Sequence, residues 1–580
     1  MKLPFLNYST HKRIFQKASF LFLVLILSNS CRLKNDELPK PDLQAPNYIE
    51  GQIVLGKQLE NPFSVENMRK AMGNLQLNGR VNVRTTHLYL KFKPQNEEEL
   101  TLLKQDTTLE LFDYPLDYEI EEGGLFYHDP EVPNDQPTYQ YVAVEIDHNL
   151  PPVDYEILDE LYLPEEDESL SNGRASGISN EVIALEDEAF RITNNLPEPS
   201  NGANNNAKLS GSSWNPAGRI RVWDDVIGTH TTTTQIFDHW EYYPCDLGGL
   251  EPQLLKLPVE QCKRAVYRYE TSTSVGSKIP ISGVKVRANS WFKTRTALTD
   301  AQGYYYISFF RNPVNYSIKW ERNDFDIRDG LYFQAYFTGP KKTGDWNVDL
   351  VSGKALRFAT IHRAADRYFY KNTGGLKSAV NPFEKLKIGY LDNSGTGVNW
   401  GGTWLVFPTI QIHGKDGNSY WDTNELFSTT IHEIGHSTHV NLMGDVQFWQ
   451  VDKQIKESWA NAIEWYITDI EYTELGVVNY NNPNTNLFDD PIGNLADHMQ
   501  WWDSSNLHDY TPLFIDLVDN FDRSGGPDDH ITGYTMNTLE LNVVKHSYGL
   551  TSLRSALKAN KPNGVSDQDI EDYLAYYFDL

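Results

Sequence analysis

The chain has 580 residues, 40% of them hydrophobic and 22% charged. That composition is globular and excludes wholesale disorder, collagen-like and coiled-coil chains, and the length calls for roughly three or four cores rather than one. With 51 Lys+Arg against 79 Asp+Glu the formal charge is −28, so no phosphate-neutralising surface and no nucleic-acid partner are expected, and the 3 Cys are too few for a disulfide framework.

The amino terminus reads as an address. Lys12, Arg13 and Lys17 precede an apolar run from Ala18 to Leu27, and small or polar residues follow up to Cys31. A basic segment, a short apolar segment and a small-residue end describe a secretory signal, and the run is too short to span a bilayer. Cys31 directly after Ser28-Asn29-Ser30 resembles a lipobox, with Leu27 one place further from the Cys than the usual Leu. The resemblance implies removal of residues 1–30, lipidation of Cys31, and an exported lipoprotein at the outer membrane or cell surface of a Gram-negative bacterium. Ordinary secretion with an incidental Cys is the alternative. Asn35-Asp36-Glu37 after Lys34 points to surface export. Residues 31–47 are polar and Pro-rich and suit a tether. Cys245 and Cys262 remain. An exported compartment permits their pairing, and without His or Cys neighbours they read as structural rather than as zinc ligands.

Residues 48–164 read as a small α+β unit: strands at Thr86–Phe92, Thr108–Phe112 and Tyr139–Ile146, and a helix from Asn96 to Leu103 with an acidic first turn. Residues 165–213 shift to an acidic and Asn-rich linker, with Glu165-Glu166-Asp167-Glu168 and Ser200-Asn201-Gly202-Ala203-Asn204-Asn205-Asn206; Val182 to Ile192 is a short helix within it. Residues 214–353 carry recurring strands between turn signals, the pattern of a β-sandwich. Ser282-Gly283-Val284-Lys285-Val286-Arg287-Ala288 alternates, and Thr299-Asp300-Ala301-Gln302-Gly303-Tyr304-Tyr305 places a Gly turn before an aromatic strand. These residues resemble the carboxypeptidase regulatory-like domain, which implies a transthyretin-like sandwich with Thr233–Arg268 inserted and no chemistry of its own. Residues 354–580 turn mainly helical: Thr360–Tyr370, Leu426–Leu442, Val451–Tyr472, Thr551–Lys558 and Asp567–Phe578, with strands at Lys385–Tyr390 and Trp404–Ile412. The fold class is therefore multidomain α+β.

Thr430-Ile431-His432-Glu433-Ile434-Gly435-His436 contains H-E-x-x-H. On a helix, residues four apart share a face, so His432 and His436 converge on one ion with Glu433 beside them. Neutral imidazole suits Zn2+, which lowers the pKa of water towards neutrality. Asp422, Thr423 and Asn424 offer an N-cap, Glu425 lies in the first turn, and Gly444 is a stop. A third ligand is available at Glu457, 21 residues beyond His436 on the next helix. Glu464, two turns on, is the second choice, and His439 points away from the metal face. H-E-x-x-H with a helix-borne Glu resembles the gluzincin metallopeptidases, and the domain order is similar to that of bacterial lipoproteins joining a regulatory-like sandwich to a zincin domain. The resemblance implies one Zn2+ held by His432, His436 and Glu457, with Glu433 as the base. In that family an Asp stands four residues after the Glu; here Asn461 stands there, the expected partner for the outer nitrogen of a ligating His. His530 and Tyr534 are candidate oxyanion donors. The strand before the motif helix is, by resemblance, an edge that pairs with extended substrate.

These features predict a zinc endopeptidase acting on extracellular or periplasmic proteins or glycoproteins. Gly435 also resembles the H-E-x-G-H of enhancin-like peptidases, which implies a mucin-type O-glycopeptidase as one alternative; a small residue easing helix packing is the plainer account. A zincin-shaped binding lipoprotein without catalysis is the other, and the intact Glu433 argues against it.

Overall fold

The computed structural model describes residues 51–164, 180–196, 213–244, 261–377, 385–395, 398–399, 410–477, 510–519 and 531–578. The signal, the tether, Cys31, Cys245, the Asn-rich run at 200–206 and Trp404 to Thr409 lie outside the described residues.

The first unit comprises β1 (Val54–Gln58), α1 (Val65–Asn74), β2 (His87–Phe92), α2 (Glu97–Gln105), β3 (Tyr118–Glu122), β4 (Gln140–Glu145), β5 (Tyr155–Leu161) and α3 (Asn180–Ile192). The alternation of β2 places Leu90 and Phe92 on one face and Tyr89 on the other, all buried. Strand β2 is central, between β4 and β5, and both faces are covered. Leu103 of α2 closes the Leu90 side, while Met68 and Ala71 of α1 with Leu185 and Phe190 of α3 close the Tyr89 side. Asn96 caps α2 by accepting the Glu99 amide at 3.0 Å. Thr108–Phe112 is not a strand; Phe112 makes one bridge to Tyr141. Asp106 accepts the Thr108 amide at 3.0 Å, a local turn that competes with the ladder. Helix α3 is no free linker either, because buried Glu186 bonds Lys293 and Arg311, both at 2.7 Å.

The middle comprises β6 (Ala217–Pro244), β7 (Gln261–Pro280), β8 (Lys285–Ser290), β9 (Lys293–Leu298), β10 (Tyr304–Tyr306), β11 (Val314–Lys319), β12 (Phe325–Asp329), β13 (Phe333–Gln334), β14 (Tyr336–Lys342) and β15 (Val348–Leu350). Two sheets form, β10-β6-β15 with β7 paired to β6, and β14-β11-β8-β9. Between β9 and β10, Asp300 accepts the amides of Gln302 and Tyr304, each at 2.9 Å. Gly303 there has φ +78°, and a Cβ would sit 2.4 Å from the Ile220 carbonyl, so only glycine fits. The inserted segment is a continuation of β6 and β7 as one antiparallel ladder, out to Pro244 opposite Gln261, with Cys262 opposite Tyr243. β12 and β13 leave the sandwich span and join the next sheet.

That sheet follows the order β13-β12-β16-β18-β17, with β19 also on β18. Its further members are β16 (Leu386–Ser394), β17 (Val398–Asn399), β18 (Ile410–Asp416) and β19 (Ser419–Tyr420). β12, β16 and β18 run parallel. β18 is not a bare edge: β16 pairs along one side, and β17 and β19 pair at its two ends on the other. Among the described residues the α-helices of four residues or more are α4 (Gly353–Tyr370), α5 (Thr423–Met443), α6 (Asp445–Phe448), α7 (Lys453–Glu474), α8 (Leu550–Ala559) and α9 (Asp567–Tyr577). Among the described residues, no helix is long and apolar enough to cross a membrane.

Buried ion pairs tie the parts together. Lys104 of α2 reaches Asp326 of β12 at 2.6 Å, Asp326 also holds Arg328 at 2.9 Å, and Glu97 of α2 holds Arg328 at 3.2 Å and Lys387 of β16 at 2.9 Å. Burial pulls the Lys104 ammonium down to about 8 against the pull of Asp326. At the other end, Asp224 of β6 accepts from Arg363 of α4 at 2.6 Å and from the Tyr472 hydroxyl of α7 at 2.9 Å.

His362 of α4 reports on this packing. Its Nε2 lies 3.0 Å from the Ser282 carbonyl, which fixes a neutral donor, and its ring sits among Trp320 and Phe325. Burial holds it down to about 4, against the nearby Asp366 carboxylate. The unfolded chain therefore takes up a proton below about pH 6.5 that the folded protein refuses until about 4. Stability falls as pH drops through that window, by up to about 1.4 kcal/mol per unit. His362→Gln keeps a donor without the titration, so its melting temperature should fall less than that of the wild type between pH 7 and 5, measured by calorimetry.

Candidate metal centre

Helix α5 is built by its ends. Glu425 accepts the Asp422 amide at 3.0 Å, the reach-back of a capping box. Asp225 of β6 accepts the Thr423 amide at 2.8 Å, and the Asp225 amide donates to the Thr423 hydroxyl at 2.8 Å, so the sandwich itself caps the motif helix. Gly444, at φ +89°, ends the helix with its amide on the Val440 carbonyl. Phe427, Ile431 and Ile434 are fully buried and hold the helix in the core. Helix α7 begins at Asp452, which accepts the Gln454 amide at 3.0 Å.

The two helices pack antiparallel. His436 Nε2 lies 3.1 Å from Glu457 Oε2, while His432 Nδ1 lies 3.0 Å from Glu464 Oε2, so the later residue on one helix meets the earlier on the other. Gly435 faces this contact: a Cβ there would sit 3.4 Å from the Ala460 Cα, in ordinary contact. His432, His436 and Glu457 are buried, and one ligand atom from each lies within 4.8 Å of the others. His432 Nε2 is 3.6 Å from Glu457 Oε2. A tetrahedral zinc with bonds near 2.0–2.1 Å spaces its ligands about 3.3–3.4 Å apart, which matches the 3.1 and 3.6 Å contacts seen here.

The electrostatics ask for a cation. Burial pushes the His432 imidazolium down, but the Glu457 and Glu464 carboxylates outweigh it and hold it well above the ordinary value. Burial pushes Glu457 up, but the two imidazoles outweigh it and hold it well below. Burial raises Glu433. Three buried carboxylates thus face two imidazoles, and in a metal-free chain a proton on His432 supplies the positive charge. A divalent ion held by His432, His436 and Glu457 would take the place of that proton. The donor set fits zinc: two neutral imidazoles and one carboxylate, with a second carboxylate behind.

The partner of the outer nitrogen of His432 is Glu464, not Asn461. Asn461 is buried one turn after Glu457, yet the outer nitrogen of His432 is met by Glu464, and that of His436 is buried without a hydrogen bond. His439 stands outside the group, its Nε2 3.0 Å from the Met443 sulfur and its ring against Phe448. Burial holds it neutral, down to about 3. Tyr534 is buried, and its hydroxyl donates to the Leu557 carbonyl at 2.8 Å. His530 lies outside the described residues. Sequence reasoning missed Tyr510, whose ring centre lies 6.0 Å from that of His432. It also missed the Asp225 cap, which comes from 198 residues away and leaves no local signal.

Compared with family models, curated proteins and solved structures, the chain gives no match.

Removing the partner of a ligating imidazole weakens metal binding about 10–100-fold. Glu464→Gln should show that loss in competition with a chromophoric chelator, with unchanged circular dichroism. Unchanged affinity would mean that Glu464 does not orient His432.

Proposed function

We propose that the protein is a gluzincin-like zinc endopeptidase, exported as a lipoprotein through Cys31 and acting on extracellular or periplasmic proteins. The observation that carries this reading is the convergence of His432, His436 and Glu457 with Glu433 alongside. A zinc ion held by the three ligands supplies Lewis-acid polarisation of a carbonyl and acidifies water. Glu433 follows His432 directly on α5 and is buried. Its carboxylate takes the proton of the attacking water and passes it to the leaving nitrogen. Burial raises its carboxyl, which brings it closer to the value a proton shuttle needs at neutral pH. Glu464 holds the His432 ring in the orientation that turns Nε2 to the convergence.

Gly435 faces helix α7, where a Cβ would meet the Ala460 Cα at 3.4 Å, so the position belongs to the helix interface and calls for no glycan. A peptide-directed activity is therefore the primary reading. A binder without catalysis has no use for a buried Glu433 beside the ligands.

Glu433→Gln should retain about one zinc per chain and lose about 10²–10⁴-fold in kcat/KM. The assay is a digest of a proteome-derived peptide library, with and without chelator, alongside glycosylated and stripped mucin fragments. Cleavage by Glu433→Gln at the wild-type rate would remove the assigned base. Cleavage confined to glycosylated fragments would transfer the activity to the glycopeptidase class.

A further inference from the structure

The first unit holds a cleft of about 770 Å³, between the β1–β3 ribbon and strands β2 and β5. That volume is in the range of small-ligand sites. Its wall carries five carboxylates, on Glu60, Asp117, Asp129, Glu131 and Asp159, against a single basic side chain, Lys91. The Lys91 ammonium is itself placed over the Tyr139 ring, 3.9 Å from its centre. Asp117 is a structural acid, accepting from Tyr89 at 3.0 Å and Gln58 at 2.7 Å. Of the others, Glu60 accepts from Asn67 at 3.2 Å, Asp129 accepts the Glu131 amide on one oxygen, and Asp159 accepts from Asn61 and the Glu160 amide; each carboxylate keeps further lone pairs.

A second observation is independent of charge. Tyr127 and Tyr141 are 7% and 4% exposed, and both line the cleft, so the little surface they keep faces it. Among the described residues neither hydroxyl has a hydrogen bond, and neither is sealed from solvent. Buried tyrosines normally spend that group on a partner. Leu55, Leu59 and Leu158 add apolar wall.

The wall excludes one ligand type. Among the described residues, only His432, His436 and Glu457 bring three ligand atoms within 4.8 Å. No three of the cleft carboxylates come close enough together to share a metal ion. Spread acceptors of one charge sign, tyrosine hydroxyls and apolar wall suit a ligand with separated cationic donors joined by methylene chain.

We propose that this cleft is a second binding site, which takes an extended organic cation bearing primary ammonium groups. Two sources share that chemistry, a free polyamine and the lysine side chains of a peptide. The site is independent of the metal centre and of the activity proposed for it.

The test is calorimetric titration of the full chain in about 150 mM salt, where loose surface attraction is screened. Spermidine and a trilysine peptide are the two probes, and a neutral oligosaccharide is the third arm. Saturable binding of spermidine or trilysine with a stoichiometry near one supports the site, and the tighter of the two identifies the source. Asp129→Asn with Asp159→Asn should weaken it at least tenfold, while Glu98→Gln, an exposed acid on α2 away from the cleft, should not. Tyr141→Phe, which keeps the ring, should weaken it too and guards against misfolding of the double variant. Absence of saturable binding of either cation, equal weakening by Glu98→Gln, or binding of the oligosaccharide alone would overturn the proposal.

Discussion

The close antiparallel contact between α5 and α7 is the constraint on which the rest depends. The three ligand atoms are divided between two helices, so no local sequence can set their spacing. Gly435 faces Ala460 and Ile463 at this contact, with room for a Cβ at 3.4–3.5 Å. Each helix is then held from outside. Arg363 and Arg367 of α4 pair with Glu471 of α7, and Asp224 of β6 joins Arg363 to Tyr472. Asp225, the next residue of β6, caps α5. Two adjacent residues of one strand thus position both helices of the site, and the sandwich is part of the centre's support rather than a neighbour.

The same logic extends to the first unit. The Glu97, Lys104, Asp326, Arg328 and Lys387 network is buried and joins α2 to the sheet that leads into α5. Such networks add little net stability over an apolar contact, because desolvation offsets the attraction. Removing one member leaves an uncompensated buried charge and costs about 3–5 kcal/mol. They therefore penalise any other docking of the units, and the whole described chain from β1 to α9 belongs to one connected unit.

What was legible in the sequence was local chemistry. The caps of α5 could be read because Asp422, Glu425 and Gly444 act within a turn of the helix they end. The His432–His436 pair could be read because four residues make one turn. Glu457 could be chosen over Glu464 as the third ligand, and it is Glu457 that groups with the two imidazoles, but the role of Glu464 could not be read. Which of the two reaches the outer nitrogen of His432 depends on the offset between two helices, and the family pattern pointed instead to Asn461. Thr108–Phe112 alternates like a strand, yet the Asp106 turn and the lack of a neighbouring partner reduce it to one bridge. The stretch holding α3 reads as a linker by composition, because its anchors, Lys293 and Arg311, lie more than 100 residues away. β12 reads as sandwich by sequence order and joins the next sheet by pairing, a choice made by parallel β16.

The most direct test is X-ray absorption at the zinc edge on the purified full chain, combined with metal stoichiometry. The account predicts about one zinc per chain, a first shell of two imidazole nitrogens and low-atomic-number oxygen near 2.0–2.1 Å, and loss of both nitrogen signatures in the His432→Ala, His436→Ala variant. A chain that takes up no zinc, or a shell with sulfur or with imidazoles that survive that double substitution, would contradict it.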